Sequence, residues 1–452
     1  MPLSDCEVLN TGYSHQLPIK SCSPRSRGLN PYQKLLRRFY EPLFLLETLG
    51  QARGEHNTAV PMMDPRIAHR RKFLQNLSYI CDFEKGGNSC TALGVEERDT
   101  YYKFWVASNS VNRKVVEFLE SALSTLKIAG SHGPTESERD KIDFVDFCIR
   151  FASSRVKKET QSLFRAVKAC YSKQNQWNTD PCWYLLLECK YKKLLMEIIA
   201  LDIWLDSILA HKDSFSLCKF AYENRHSKFV DILTFSAQNE EKKIGPQGRM
   251  TSFAIAKHYL GRLAAHIRAP QQLFEDAETL DYMLESCKVD YIEPIPSVPQ
   301  PIFDSQTTLE GILYRMLKQN DPERLEIERK LIYMNMGNGI LEKLNEQYQR
   351  CVPQVHAEVQ VLEHFHKKKL HFVDADRYIA CSKPSCVCCE MYFKYHPARM
   401  DAPECHRKVW IKWSPPLVKV FTKNLPDFKQ QRQIINKMTE DIRSDVIAQV
   451  LE

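Results

Sequence analysis

The decisive stretch runs from Pro353 to Phe393 and reads PQVHAEVQVLEHFHKKKLHFVDADRYIACSKPSCVCCEMYF. It contains a His-x-Glu pair, His356 and Glu358, and after one predicted strand a Cys-x-x-Cys pair, Cys386 and Cys389. One imidazole and two thiolates supply three zinc ligands and leave the fourth position of the ion open for water. This pattern is typical of catalytic zinc, because structural zinc usually has four protein ligands.

The spacing within each pair indicates where the side chains lie. Cys386 and Cys389 are three residues apart and share a helix face, and Pro384 just before them suits a helix start. There the backbone N–H groups and the helix dipole favour the thiolates that zinc requires. Residues two apart diverge on a regular helix, so His356 and the proton-carrying Glu358 can converge only in a first turn.

The sequence leaves a second kind of zinc site open. A closed structural site needs a fourth protein ligand, for which the chain offers a nearby histidine or one of four cysteines: Cys351, Cys381, Cys388 and Cys405. Cys388 faces away from the Cys-x-x-Cys pair on a helix, which indicates a packed thiol. A zinc peptidase is less well supported, because the sequence has no H-E-x-x-H motif.

Size and composition predict a globular protein of two or three units, because 452 residues exceed the roughly 100–200 residues of one domain. The net charge of +7 tolerates an anionic partner without requiring one. The sixteen cysteines lack disulfide-framework spacing, and the first thirty residues lack the apolar run of a secretory signal. We therefore expect reduced thiols in a cytoplasmic or nuclear protein without a membrane span.

The apolar pattern divides the chain into two mixed regions separated by a long helical one. The first mixed region is a helix over 64–83 and a β-hairpin over 90–109, and helices then follow from 111 to about 349, one of them over 271–287. Proline-rich residues 292–303 are predicted to be an extended linker. The second mixed region contains, in order, helix 354–369, strand 377–381, helix 386–395, strand 408–413 and helix 428–451.

Three segments of the second mixed region carry a family resemblance: VHAEVQVLEHF (355–365), YIACSKPSCVCCEMYF (378–393) and HPAR (396–399). They look like the signature of zinc-dependent nucleoside and nucleic-acid deaminases, the cytidine-deaminase-like superfamily. The residues of these segments most resemble a fungal branch of this superfamily, the OTT-type deaminase family. The resemblance covers Val352 to Pro416, under a fifth of the chain.

The resemblance implies a cofactor, a reaction and a fold. Zn²⁺ would be bound by His356, Cys386 and Cys389, and Glu358 would move protons while water replaces the amino group of a cytosine-like or adenine-like base. The substrate would be a nucleoside, a nucleotide or a single-stranded nucleic acid. The core would be an α/β fold with α-β-α layers. The usual pattern has proline directly before the first cysteine, whereas Ser385 intervenes here, which leaves the base preference open.

The superfamily core begins with a helix and a β-hairpin, yet no convincing hairpin directly precedes His356. The upstream helix and hairpin can supply the missing parts, so we expect a split core, with a large all-α insertion and a mainly helical chain overall. The expected units are a flexible N-terminal region with one helix (1–62), a first core part (64–109), the helical insertion (111–350), a second core part (351–425) and a C-terminal helix (428–452).

Asn109 ends the second strand of the predicted hairpin. Related deaminases place an asparagine there in contact with the substrate sugar, so the resemblance makes Asn109 a candidate substrate contact. An asparagine that simply ends a strand in a turn explains the position equally well.

Three further features have a functional and a plainer interpretation. A basic cluster on the first core helix could guide a polynucleotide, although surface solubility is simpler: Arg66, His69, Arg70, Arg71 and Lys72. A polar stripe on a later helix could meet a phosphate or an acidic partner, although a solvated face is favoured: His258, Arg262 and His266. Of Trp410 and Trp413, one is expected in the core and the other could stack on a base.

Two functional hypotheses follow. The leading one is a zinc-dependent hydrolase that deaminates an amino-bearing nucleobase, and the presence of all four central residues favours it. The alternative is a non-enzymatic helical interaction protein in which zinc stabilises a deaminase-like core. The large helical insertion gives weight to a protein partner under either hypothesis.

Overall fold

The structure is a computed structural model that describes residues 29–50, 64–110, 113–129, 134–178, 192–244, 250–317, 322–420 and 424–451. Its strands are β1 (Thr91–Glu97), β2 (Tyr102–Ser108), β3 (Cys287–Tyr291) and β4 (Ala380–Cys381). Its helices are α1 (Pro31–Thr48), α2 (Pro65–Ile80), α3 (Lys114–Ala129), α4 (Pro134–Phe151), α5 (Ser153–Asn178), α6 (Lys192–Ala210), α7 (Ser214–Glu223), α8 (Lys228–Ile244), α9 (Ser252–Asp276), α10 (Asp281–Leu284), α11 (Leu309–Met316), α12 (Arg324–Asn338), α13 (Ile340–Arg350), α14 (Ala357–Lys368), α15 (Val387–Tyr395) and α16 (Pro426–Leu451). Most of the first 62 residues lie outside the described ranges, so the expectation of flexibility there stays a prediction.

The four strands form one mixed sheet in the order β3-β2-β1-β4. The predicted hairpin is present, with β1 antiparallel to β2 and Thr91 opposite Ser108. Strand β4 pairs with β1 on the other side, with Leu93 opposite Ala380. Segments far apart in the sequence therefore share one sheet, as a split core requires.

Helices cover both faces of this sheet. Alternate residues of β1 and β2 point to opposite sides, so Ala92 and Trp105 pack with α14 and α15, whereas Leu93 and Phe104 pack with α2 and α3. The result is a mainly helical chain with a small α-β-α layered region, as the sequence predicted. A third hydrophobic core lies within α4 to α9, away from the sheet, and includes Val156.

Helix α14 approaches the sheet closely at Gly94. A Cβ at this position would lie 2.7 Å from Phe365 Cε2 and 2.9 Å from Val361 Cγ1, both of them buried residues of α14. Only glycine leaves room for α14 at this distance, because real Cβ contacts are longer. The glycine therefore sets the spacing between the sheet and the helix that begins directly after His356.

The helix predicted over 271–287 is wrong. Helix α9 continues through Pro270 to Asp276, the four-residue α10 follows, and Cys287–Tyr291 forms β3. Strand β3 runs parallel to β2 and supplies partners for the backbone groups along its outer edge. This pairing with a distant strand overrides the local helical pattern, as is common for strands.

The strand predicted over 408–413 is also wrong. Trp413 forms a single bridge to Gln354, and Cys405, just before this segment, forms another to Ser385, so no continuous ladder develops over 408–413. The two tryptophans are now distinguished: Trp413 is fully buried, and Trp410 is 50% exposed. Gly339 is left-handed (φ 57°) and separates α12 from α13.

The basic cluster on α2 is largely neutralised, so neither of its interpretations holds for its central members. Arg70 is only 2% exposed and pairs with Asp374 and Asp376. Arg71 binds Asp376, with Nε 3.1 Å from Oδ1, and also pairs with Asp401. These pairs fasten α2 to the segment that leads into β4. No helix among the described residues combines the length and the apolar character needed to cross a bilayer.

Candidate metal centre

His356 lies directly before the first turn of α14. It is the N-cap residue, with extended backbone angles (φ −71°, ψ 152°), and Glu358 is the second residue of the helix. The extended cap removes His356 from the regular helical arrangement, so the two side chains are not forced apart by the 3.6-residue turn. His356 and Glu358 therefore lie at the first turn of a helix, where the sequence pattern allows them to converge.

Cys386 occupies the same position in α15. It is the N-cap residue, and Cys389 follows in the first turn. The loop before α15 is held by residues 404–408, because the Ser385 N–H donates to Glu404 O at 2.6 Å and the Val387 N–H donates to Lys408 O at 3.2 Å. Both pairs of predicted site residues therefore lie at helix starts, where N–H groups favour negative charge.

His356, Cys386 and Cys389 converge, and we call them the metal triad. Their potential ligand atoms all lie within 4.8 Å of one another. The His356 Nδ1 atom is 3.6 Å from Cys386 Sγ and 3.3 Å from Cys389 Sγ, and the sulfurs are 3.6 Å apart. Tetrahedral zinc with ordinary bond lengths separates two sulfurs by about 3.8 Å and nitrogen from sulfur by about 3.6 Å. The donor set and its spacing therefore fit a zinc ion.

The electrostatics of the triad favour a thiolate. Burial opposes the charged form of Cys386, but hydrogen bonds from Cys388 and Cys389 and the nearby His356 outweigh it and hold the thiol pKa well below its ordinary value. Burial likewise opposes the charged imidazole, and the negative charge of Cys386 raises the pKa of His356 to about 9. Both shifts favour a negative Cys386 beside a positive His356, and a bound metal ion would replace the proton of the imidazole.

The triad has no fourth protein ligand among the described residues, because no other His, Cys, Asp or Glu joins it within the same mutual distance. Two of the alternative cysteines point elsewhere: Cys351 Sγ donates to Ile411 O at 3.2 Å, and Cys405 Sγ accepts from the Arg407 N–H at 3.3 Å. Cys388 is a buried core thiol, as predicted.

Glu358 lies beside the triad without joining it. It is 4% exposed, in the first turn of α14. Burial raises the pKa of the Cys90 thiol to about 12, and the negative charge of Glu358 adds to that effect. Burial is the main cause of the raised pKa of the Cys389 thiol, and a hydrogen bond with the Glu358 carboxylate adds to it. Glu358 therefore faces the interior of the site.

Asn109 connects the hairpin to the start of α14. Its Oδ1 accepts from the Ala357 N–H at 2.7 Å, and its Nδ2 donates to Gly87 O at 2.8 Å. Gln354 also donates to its carbonyl oxygen. Asn109 thus lies next to His356 and supports the helix start, whereas contact with a substrate stays a prediction.

Sequence reasoning missed two residues that fasten the segments on which the triad lies. Gln360 is buried, and its Nε2 donates to Val355 O at 2.9 Å and to Ser108 O at 3.2 Å, so it fastens α14 to the end of β2. Lys383 lies three residues before Cys386 and pairs with buried Asp82. No local pattern marks either residue, because the partners come from distant segments.

Comparison with known proteins agrees with part of this assignment. Residues 355–417 match a family model described as an OTT_1508-like deaminase. No curated protein matches, and no solved structure matches. The matched segment contains the metal triad and Glu358 but neither strand of the hairpin. It is therefore deaminase-like, and its triad could hold a metal ion.

Proposed function

We propose that the protein is a zinc-dependent hydrolase that removes the amino group from a nucleobase carried on a nucleoside, a nucleotide or a nucleic acid. The observation that carries the proposal is the convergence of the metal triad at two helix starts, beside Glu358. The family match supports it, because all four residues lie within the deaminase-like segment.

Zinc is the metal we assign to the triad. One nitrogen and two sulfur ligands suit this ion, and the three donors leave one coordination position for water. A zinc ion there would supply Lewis acidity and lower the pKa of water to about 7. His356, Cys386 and Cys389 have only the task of holding it, and they need no redox change for a hydrolysis.

Glu358 is the group to which we assign the proton transfers. Its carboxylate takes a proton from the attacking water and passes it to the amino nitrogen of the base. A C–O bond forms at the amino-bearing carbon, the C–N bond breaks, and ammonia leaves while the ring carbonyl is formed. Burial of Glu358 beside the triad suits this role, because it keeps bulk water away from the transferred proton.

The catalytic unit in this proposal is split, with residues 64–109 and 351–425 on either side of the insertion 111–350. Pairing of β1 with β4 supports this division. We also assign Asn109 a substrate contact, since its amide nitrogen carries a second N–H besides the one that binds Gly87. The described cysteines are all free thiols, which fits a reducing compartment such as the cytoplasm or nucleus.

A second candidate function is partner binding by the helical insertion, with the core as a zinc-stabilised scaffold. One observation favours it: α12 exposes an apolar row on the side away from its buried residues, consisting of Leu325, Ile332, Tyr333 and Met336. Under this alternative, the insertion would retain its partner whether or not Glu358 is intact.

The test compares the wild-type protein with Glu358→Gln. Both should contain zinc after purification, and ammonia release from a panel of nucleosides, nucleotides and short single strands should fall by about 10²- to 10⁴-fold in the variant. Glu363→Gln is the matched control, because Glu363 is a buried residue of the same helix that binds Tyr392 instead. Equal ammonia release by wild type and Glu358→Gln would contradict the mechanism.

A further inference from the structure

A buried ionic cluster joins the helical insertion to the loop before β1. Arg155, at the start of α5, is 1% exposed, and its Nη1 donates to Asp82 O at 2.8 Å and lies 3.4 Å from Asp82 Oδ2. Its backbone N–H donates to Phe83 O at 3.2 Å, and its Nε lies 3.2 Å from Glu159 Oε1. Asp82 and Glu159 are fully buried, so both carboxylates depend on these partners.

The outer side of the cluster lies on α9. Arg262 Nε is 2.7 Å from Glu159 Oε1, and His266 Nε2 is 3.0 Å from Glu159 Oε2. The prediction of a solvated polar stripe on this helix is therefore wrong for these two residues. The physical reason is the buried Glu159, more than a hundred positions away in the sequence, which needs donors on both of its oxygens.

The inner side of the cluster leads to the loop that carries the triad cysteines. Lys383 Nζ lies 2.7 Å from Asp82 Oδ2 and donates to Gly86 O at 2.5 Å. Lys383 precedes Cys386 by three residues. The Ser89 hydroxyl also donates to Asp82 Oδ1 at 2.5 Å, which closes the loop on itself. Asp82 thus holds both its own loop and the Cys386 loop.

The same loop also supports the start of α14. We call residues 82–90 the Asp82 loop. In this loop, Gly87 O accepts from Asn109 Nδ2 at 2.8 Å, and Cys90 O accepts from the Asn109 backbone N–H at 3.1 Å. Asn109 in turn accepts from the Ala357 N–H, beside His356. A continuous series of hydrogen bonds therefore runs from α5 through the Asp82 loop to the first turn of α14.

We propose that Arg155 is a positioning residue through which the helical insertion sets the geometry of the metal centre. Together with Glu159, it fixes Asp82, and Asp82 fixes the backbone that supports His356 and the loop of Cys386. The insertion is then a working part of the site. The catalytic consequence rests on the proposed function, whereas the positioning itself does not.

The experiment measures amide hydrogen exchange on the full chain for wild type, Arg155→Met and Val156→Ala. Val156 is the matched control, because it is the next residue of α5 and is buried in the helical core without a bond to the Asp82 loop. In Arg155→Met, exchange in the Asp82 loop and at the Ala357 amide should rise by about tenfold or more. In Val156→Ala, exchange should rise within α5 but stay unchanged at Ala357.

Unchanged exchange at Ala357 in Arg155→Met, or an equal rise in Val156→Ala, would overturn the proposal. If Arg155→Met does not fold, Arg155→Lys replaces it in the comparison. Lysine keeps the charge but cannot form the several directed contacts of the guanidinium, so amide exchange at the same sites should rise, but by less. Cobalt(II) titration of the same samples adds a spectroscopic readout: the visible bands should shift in the Arg155 variant only. If wild type binds no cobalt, the proposed function fails, and the exchange comparison still decides the role of Arg155.

Discussion

Replacement of Gly94 by alanine tests whether the approach of α14 to the sheet is as close as the structure shows. The new methyl group would lie 2.7 Å and 3.0 Å from two atoms of the Phe365 ring and 2.9 Å from Val361. The ring cannot move away easily, because it is buried and stacked on Phe372 with centroids 4.1 Å apart. Overpacking of this kind costs about 1–3 kcal/mol.

The lower conformational freedom of alanine in the unfolded chain offsets about 0.5–1 kcal/mol of that cost. From the middle of each range, about 2 kcal/mol less about 0.75 kcal/mol, we expect a net loss of about 1 kcal/mol in the free energy of unfolding, measured by urea titration. The double variant Gly94→Ala, Phe365→Leu should lose less than the sum of the single variants, because leucine lacks the two ring atoms that the methyl group meets.

The control substitution should change the free energy of unfolding in the opposite direction. Gly261 lies on an exposed side of α9, with no atom within 4 Å of an added Cβ. Gly261→Ala should therefore stabilise the protein by about 0.5–1 kcal/mol through helix propensity. An unchanged or higher stability for Gly94→Ala would refute the close approach, and the placement of the α14 start would lose its support.

Three further predictions concern charge and metal. The pKa of Glu363 is lowered to about 2, because the effect of burial is outweighed by a hydrogen bond from His396 and by the nearby Lys367. The ionised carboxylate therefore stabilises the fold above about pH 4.3, and the free energy of unfolding should fall by about 3 kcal/mol as the pH is lowered to about 2. In Glu363→Gln, the free energy of unfolding measured with urea should change less over the same pH range. Arg70→Met should cost about 1.5–3 kcal/mol in urea unfolding, because it removes a buried guanidinium from Asp374 and Asp376 although Arg71 still binds Asp376, whereas exposed Arg66→Met should change little. Removal of metal by a chelator should lower the melting temperature, and added zinc should restore it. Free zinc at a hundred times its Kd would raise the free energy of unfolding by about 2.7 kcal/mol. A melting temperature that does not change with the chelator would contradict the metal assignment.

The parts of the site that the sequence predicted are those encoded by short-range spacing. The positions of His356 and Cys386 at helix starts follow from local patterns, and so does the hairpin that ends near Asn109. Each depends on a few neighbouring residues and on the conformational preferences of proline, helix starts and turns.

The parts that it missed depend on partners hundreds of positions away. The sequence alone suggests that Arg70 is a surface residue, because its partners Asp374 and Asp376 are far away in the chain. It likewise suggests that His266 is solvated, because its partner Glu159 is distant. Strand β3 had no signal of its own, because its stability comes from the edge of β2. Charge and strand propensity in a sequence do not reveal burial, which depends on tertiary pairing.

The pairing of β1 with β4 also constrains how the chain is made. Leu93 and Ala380 are about 290 residues apart, so ribosomal synthesis at about 5–20 residues per second separates them by about 15–60 s. During that interval the hairpin exposes one free edge and the surface that α14 later covers. The helices of the insertion emerge first and can pack against the other face of the hairpin, so nascent chains should be most prone to aggregation before α14 is synthesised, and the edge of β1 stays free until Ala380 follows.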